Sequence, residues 1–284
     1  MKGSEVAAKL NAVIEEEVRS LRAKNILPKL AIVRVGEREE NIAYQNGATK
    51  RCASLGLEVE SLVLPESATQ EETLRTVESL NRDVSVHGVL LLRPLPKHIG
   101  DEAIRNSLLP AKDVDGITDT SIASVFTGGF NAGFPPCTPQ SCVKILDHYN
   151  VDLKGKRVVV VGRSLVVGRP LAMMLLAKNA TVTVCHSGTR NLSAFCREAD
   201  VLVVAIGKAR MIGKDYLSPG QVVIDVGFNE DEHGVFCGDV NFADAEKIVD
   251  AVTPVPGGVG SVTTSILAWH AVVATKQRAG ERGA

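Results

Sequence analysis

The run VVVVGRSLVVGRP at 158–170 carries the strongest chemical signal in the chain. An apolar strand leads straight into Gly162, Arg163, Ser164 and Gly168, and a helix starts near Pro170. Glycines at such a turn let backbone amides approach a pyrophosphate closely, and the helix N-terminus adds about half a positive charge. The spacing is not the usual GxGxxG, but its position at the first strand of a βαβ series points to a bound dinucleotide. The following strand ends Cys185-His186-Ser187, with no carboxylate to take the ribose hydroxyls, while Arg163 and Arg169 lie in the phosphate loop. The pattern therefore predicts NADP as cofactor, with NAD as the alternative.

Such a site must be held by strands and helices, and the chain supplies them in alternation. Val6, Leu10, Val13, Ile14, Val18 and Leu21 recur at three and four, which predicts a helix of about five turns. Leu30–Val35 reads as a strand closed by Gly36, followed by a helix through Tyr44 and Leu55 that Gly56 stops. Leu57–Leu64 reads as a strand, Gln70–Arg82 as a helix, and Val86–Leu92 as a buried strand closed by Pro94 and Pro96. The Gly- and Pro-rich stretch between Pro110 and Pro139 is the expected interdomain connection, and a helix from about Pro139 to His148 leads onward. Strands at 158–161, 181–185, 201–205 and 222–226, with helices at 170–178 and 192–199, complete the second series, and the chain turns helical again after Gly260.

Apolar strands between helices predict parallel sheets covered on both faces. The expected fold is α/β in two domains. A three-layer α/β substrate domain takes residues 1–138 plus 266–284, and a Rossmann-like NAD(P)-binding domain takes 139–265.

Lys and Arg total 32 against 33 for Asp and Glu, so no net field attracts nucleic acid or an anionic membrane. The six cysteines show no CxxC and no Cys/His pairing at zinc spacing; they read as reduced and buried, with no metal site. Residues 1–22 alternate apolar and charged side chains rather than forming a signal peptide, and no apolar stretch reaches membrane length, so the cytoplasm is the expected compartment.

Beyond the phosphate loop, GVLLLRPLP at 88–96, KDVDG at 112–116, PCTP at 136–139, ATVTVCHSGT at 180–189, DVG at 225–227, GDV at 238–240 and TPVPGGVG at 253–260 follow one another in order. With these motifs the chain resembles, along nearly its whole length, the bifunctional methylenetetrahydrofolate dehydrogenase/methenyltetrahydrofolate cyclohydrolase family. The resemblance implies tetrahydrofolate derivatives as substrates, a homodimer, and cofactor contacts from Gly162, Arg163, Ser164, Gly168, Ser187 and Phe228, the last at a position that is commonly Ile. It further implies that Tyr44 and Asp115 do the positioning of catalysis, and that Leu92 and the loop of Pro254, Gly257 and Gly258 lie at the substrate.

The departures from the pattern are as informative as the matches. The family's first-domain helix carries a tyrosine followed four and six residues later by lysines; here Tyr44 and Lys50 are present but position 48 is Ala. Residues 44 and 50 differ by about 240° around a helix, so Lys50 does not take the missing amine's place and belongs in solvent. Leu92 stands where the family has glutamine, and Arg93, one residue further along the strand, points the other way. Glu39-Glu40-Asn41 replaces Pro-Ala-Ser, and Ser261 replaces Pro after GGVG.

Oxidising the methylene bridge needs a nitrogen lone pair to push hydride onto a nicotinamide, and no proton moves. Positioning is what the protein must supply. Hydrolysing the methenyl product needs an activated water and a protonated leaving amine, work that the resemblance assigns to the lysine and glutamine that are missing. The sequence thus predicts a dehydrogenase whose cyclohydrolase activity is weak or absent. Two other readings stay open: a bifunctional enzyme in which Lys50 or Arg93 turns into the site, and a non-catalytic protein that binds NADP or folate. His186 reads as a satisfied strand-end residue, Asp225 and Asp239 are as well suited to holding loop amides as to binding a ligand, and His98 and His233 suggest no role.

Overall fold

The computed structural model describes residues 1–129 and 133–280; residues 130–132 of the expected connection and 281–284 of the expected first domain lie outside the described residues. The chain divides into two compact units. One comprises Lys9–Cys137 with Thr264–Ala284, and the other Met1–Ala8 with Thr138–Thr263.

The first unit takes most of α1 (Gly3–Ala23), then β1 (Lys29–Val35), α2 (Glu39–Ser54), β2 (Glu58–Leu64), α3 (Gln70–Arg82), β3 (Gly88–Leu91), α4 (Asp101–Ser107) and α5 (Asp119–Thr127). Its sheet is parallel in the order β2-β1-β3, so the chain pairs on one side of β1 and then on the other. Ala31, Val33, Val35, Val89 and Leu91 cluster with Val77 and Leu80 of α3 and Ile104 of α4 on one face. Leu30, Ile32 and Leu90 alternate with them and are also fully buried, so both faces are covered and the unit has three layers. Thr69 and Glu72 form a capping box at the start of α3. At its end, buried Lys112 donates to the carbonyls of Leu80 and Asp83 at 2.5 and 2.6 Å. This ties the KDVDG segment beneath β3, which it joins through a bridge from Asp113 to Val89.

The second unit contains α6 (Cys137–His148), β4 (Arg157–Val161), α7 (Gly168–Ala177), β5 (Thr181–Cys185), α8 (Leu192–Glu198), β6 (Val201–Val204), β7 (Val222–Asp225), the hairpin of β8 (Asn229–Glu230) and β9 (Phe236–Cys237), α9 (Phe242–Ile248) and β10 (Ala251–Val252). Its five-stranded parallel sheet runs β10-β7-β6-β4-β5, which puts the switch in strand order at β4. The last helix, α10 (Val259–Arg278), begins in this unit, and its part after Thr263 belongs to the first. Among the described residues no helix is long and apolar enough to cross a membrane.

Two expectations need correcting. The first unit does not begin at residue 1. The Met1 ammonium donates to the Val252 carbonyl at 2.7 Å, the Lys2 amide to the Tyr149 hydroxyl at 2.8 Å and the Gly3 amide to the Gly257 carbonyl at 2.8 Å, which fixes Met1–Ala8 in the second unit. An amphipathic period foretells a helix but not its partner. In addition, the stretch read as a connection contains α5, capped by Thr118, and neither α4, α9 nor β10 was foreseen.

The turn from β4 to α7 rests on one close approach. A Cβ on Gly168 would stand 2.0 Å from the Gly162 carbonyl oxygen. We expect Gly168→Ala to lower the unfolding free energy by about 2 kcal/mol or more and to weaken dinucleotide binding. Urea unfolding with an unchanged midpoint would show that the turn is not packed this way.

Candidate functional site

In the second unit the loops that leave the C-terminal ends of β4, β5 and β6 surround a pocket of about 260 Å³ lined by Gly162, Arg163, Ser164, His186, Ser187 and Lys208 among others. Gly162 has φ +127°, and a Cβ there would lie 2.2 Å from the Ala205 carbonyl oxygen. Only glycine meets both conditions. The Ser164 hydroxyl accepts from the Val167 amide at 3.1 Å, and the Arg169 amide donates to the Ser164 carbonyl at 3.1 Å, closing the loop onto the first turn of α7. Bare backbone beside a helix N-terminus, two serine hydroxyls and the side chains of Arg163 and Lys208 suit the phosphates of a dinucleotide.

The far wall is held by a carboxylate. Asp239 accepts from the amides of Ile206, Gly207 and Lys208 at 2.6, 3.0 and 2.7 Å and from the Asn229 side chain at 2.9 Å. Asp225 in turn accepts from Gly227, Asp239 and Val240 at 3.0, 3.0 and 2.9 Å. Burial pushes the Asp225 carboxyl up to about 6, against the pull of these three amides. Both aspartates therefore orient loops rather than face a ligand. His186 accepts from the Gly188 amide at 3.0 Å and also lines the pocket.

Sequence reasoning missed Lys208, Leu192, Ile206 and Met211 as lining residues. The rule that ligands sit at the C-terminal ends of strands flanking the switch point, applied to β6, would have found Lys208. Phe228 and Gly168 are not among the lining residues. Phe228 is 63% exposed, and its ring stacks on Phe236 with centroids 4.9 Å apart. Pro254, Gly257 and Gly258 form the loop onto which Gly3 closes.

In the first unit, Asn41, Tyr44, Ala48 and Cys52 recur at three and four along α2 and share one face. Tyr44 lies in the electrostatic reach of Asp115, Cys137 and Cys52; burial first, and then Asp115, hold its phenol well above the usual range, so it stays neutral. Asp115 sits in a tightly specified turn. Gly116 beside it has φ +69°, and a Cβ there would meet Pro136 N at 2.5 Å. Fully buried Asp113 accepts from the amides of Ile117 and Thr118 at 3.0 and 2.8 Å. The Val114 carbonyl accepts from the Cys137 thiol at 3.2 Å and from the His270 ring at 2.8 Å. Burial holds His270 down to about 4, so it is the neutral ring that donates. Burial, reinforced by Asp113, raises the Asp115 carboxyl to about 7, while a hydrogen bond with Cys137 and the charge of Arg93 work the other way. Cys137 is a participant that the sequence marked only as part of a motif.

The positions that depart from the family are resolved sharply. Ala48 is 0% exposed and Leu92 3% exposed, so a methyl and an isobutyl group, both sealed from water, occupy them. Lys50 is exposed, as expected from its direction on α2. Arg93, like Leu92, lies just beyond the end of β3; its guanidinium pairs with both oxygens of Asp101, Nε at 2.5 Å, and Arg105 binds the same carboxylate. Arg93 is thus engaged by Asp101, and Lys50 lies on the exposed side of α2.

A parallel five-stranded sheet with a glycine phosphate loop at its switch point, joined in sequence to a second parallel α/β unit, defines a two-domain NAD(P)-binding protein. Residues 136–279 match the family model for the NAD(P)-binding domain of tetrahydrofolate dehydrogenase/cyclohydrolase, and residues 1–115 match that for its catalytic domain, so the chain belongs to this family. Among relatives, the bifunctional protein FolD of Clostridioides difficile is 51% identical over 97% of this chain and 96% of its own. The bifunctional FolD methylenetetrahydrofolate dehydrogenase/cyclohydrolase of Campylobacter jejuni superposes with a TM-score of 0.95 at 39% identity, covering 98% of each chain. The Trypanosoma brucei enzyme, solved with NADP and an inhibitor, superposes at 0.92 with 33% identity, over 98% of this chain and 97% of that one.

The raised Asp115 carboxyl has a signature in stability. The unfolded chain ionises this group near the ordinary 3.8, whereas the folded protein keeps the proton up to about 7. Between those values the folded state binds more protons, so this group makes stability fall as pH rises. Asp115→Asn removes the effect. Its unfolding free energy, measured in urea, should gain on that of the wild type from pH 4 to 7 and then run parallel; a constant difference across that range would contradict the assignment.

Proposed function

We propose that this protein oxidises methylenetetrahydrofolate to methenyltetrahydrofolate with NADP, and that it hydrolyses the methenyl product very slowly or not at all. The observation that carries the second half is the sealed pair Ala48 and Leu92, together with the removal of Lys50 to solvent and of Arg93 to Asp101. The first half is supported by family membership, by the phosphate-loop pocket, and by Tyr44 and Asp115 in the first unit.

NADP supplies a hydride acceptor when bound. Arg163, Ser164, Ser187 and Lys208 would hold it, with Arg163 offering charge to a 2′-phosphate, as the lack of a carboxylate after β5 favours. Tyr44, a neutral phenol, serves as a stacking platform for the pterin. Asp115 accepts from the pterin amine and a ring N–H; two such donors favour the ionised carboxylate and draw it below its ligand-free value. The substrate nitrogen's own lone pair drives hydride departure and leaves a cation. Orientation is therefore what these residues contribute, and effective molarities of about 10⁵ M or more are available from it.

Hydrolysis asks for more. A water must lose a proton and an amine must gain one, and a positioned acid or base is worth about 10²–10⁴-fold. Asp115, near neutrality, is the one group in the cluster with a suitable proton affinity, but the pterin donors occupy it in the complex. It also cannot provide the positive charge of an ammonium. The same reading carries a homodimer in the cytoplasm as the expected setting.

Purified protein given methylenetetrahydrofolate and NADP should form NADPH and methenyl product one for one, with the methenyl absorbance persisting. Ala48→Lys with Leu92→Gln should then shorten the methenyl lifetime by about 10²-fold or more. Ala48→Lys alone should do less, since it buries an amine with no partner. NADPH without methenyl accumulation in the unaltered protein would overturn the claim about hydrolysis. No NADPH at all would favour the binding-protein reading.

A further inference from the structure

Asn41 lies on the same face of α2 as Tyr44 and Ala48 and is only 4% exposed, yet among the described residues its side-chain amide Nδ2 has no hydrogen-bond partner. A buried donor left unpaired is costly, and native proteins hold few of them. Such a penalty, on the stripe that carries the stacking tyrosine, is the mark of a residue kept for a ligand rather than for the fold. Serine, which the family carries at this place, can return its hydroxyl hydrogen to its own helix backbone. The longer carboxamide reaches further and needs an acceptor from outside.

We propose that Asn41 is a substrate-binding residue whose Nδ2 donates to a carbonyl oxygen of the bound tetrahydrofolate. The inference rests on the dehydrogenase reading above and adds a contact to it. The chemistry selects the acceptor. A hydrogen bond to either nitrogen flanking the methylene bridge would engage the lone pair that must expel hydride, so such a contact would slow the reaction it serves. A carbonyl oxygen, on the pterin ring or on the benzoyl amide, accepts with no such conflict.

The test uses the whole protein with NADP present and measures two things on Asn41→Leu and Asn41→Ser. One is the melting temperature without folate. The other is the affinity for folinate, a stable formylated tetrahydrofolate, and for an analogue that carries an amino group in place of the pterin oxo oxygen. Asn41→Leu should melt at or above the wild type, because an orphaned donor is gone, while folinate binding weakens by about 5- to 100-fold, the range one buried donor spans. Asn41→Ser should bind folinate as weakly as Asn41→Leu, because its shorter side chain returns its hydrogen to the helix backbone. NADP affinity should not change.

If Asn41→Leu weakens folinate but not the amino analogue, the acceptor is the pterin oxygen; if it weakens both, the acceptor is the benzoyl carbonyl. Either result supports the proposal. Unchanged folinate affinity, or a lower melting temperature with unchanged affinity, overturns it. Failure of the wild type itself to bind folinate or to oxidise methylenetetrahydrofolate would instead strike the dehydrogenase reading.

Discussion

Parallel strands place every strand-to-helix loop on the same edge of a sheet, and the chemistry of this protein depends on that constraint in both units. In the second unit the loops after β4, β5 and β6 meet around one pocket because strand order reverses at β4. In the first unit the order also reverses at the central strand, β1, with α2 following it and the KDVDG segment bridged to β3 at Val89. Tyr44 and Asp115 thus come from elements far apart in sequence, and the topology fixes each near the other.

Within that frame, buried carboxylates set the loops. Asp239 gathers three consecutive amides of the β6 loop, Asp225 gathers the amides around Asp239, and Asp113 gathers those that follow KDVDG. Each carboxylate is satisfied by backbone donors, so it orders a loop without reaching for a ligand. Asp115 is different. Burial, reinforced by Asp113, raises its carboxyl to about 7, against a hydrogen bond with Cys137 and the charge of Arg93. Three aspartates are thus held by backbone amides, whereas Asp115 shares its hydrogen bond with the side chain of Cys137.

Much of this was legible in the sequence. The apolar periods of α1, β1 and α3, and the strand runs of β4 to β7, are strong because each buries apolar side chains at a regular spacing, whereas α2 was marked by the stop at Gly56. The phosphate loop was legible because Gly162 and Gly168 are demanded by backbone contact rather than by side-chain chemistry. The short helices α4 and α9 each bury too few apolar residues to show a period, and β10 is only two residues long. Asp239 was legible as a holder of loop amides, and Lys208 could have been found from its place after β6, whereas Cys137 beside Asp115 is a product of tertiary contact that no local pattern announces. The direction of Lys50 followed from helix geometry alone, whereas β3 ends at Leu91, so strand alternation does not set the direction of Arg93.

The central claim is that a cluster without the amine at position 48 and the amide at position 92 positions a folate but does not hydrolyse it. The most direct measurement supplies methenyltetrahydrofolate to the unaltered protein, without cofactor, and compares its decay with that in buffer alone at the same pH. The account predicts the same rate in both. Decay that scales with protein concentration, and that Asp115→Asn abolishes, would contradict it and identify Asp115 as the base.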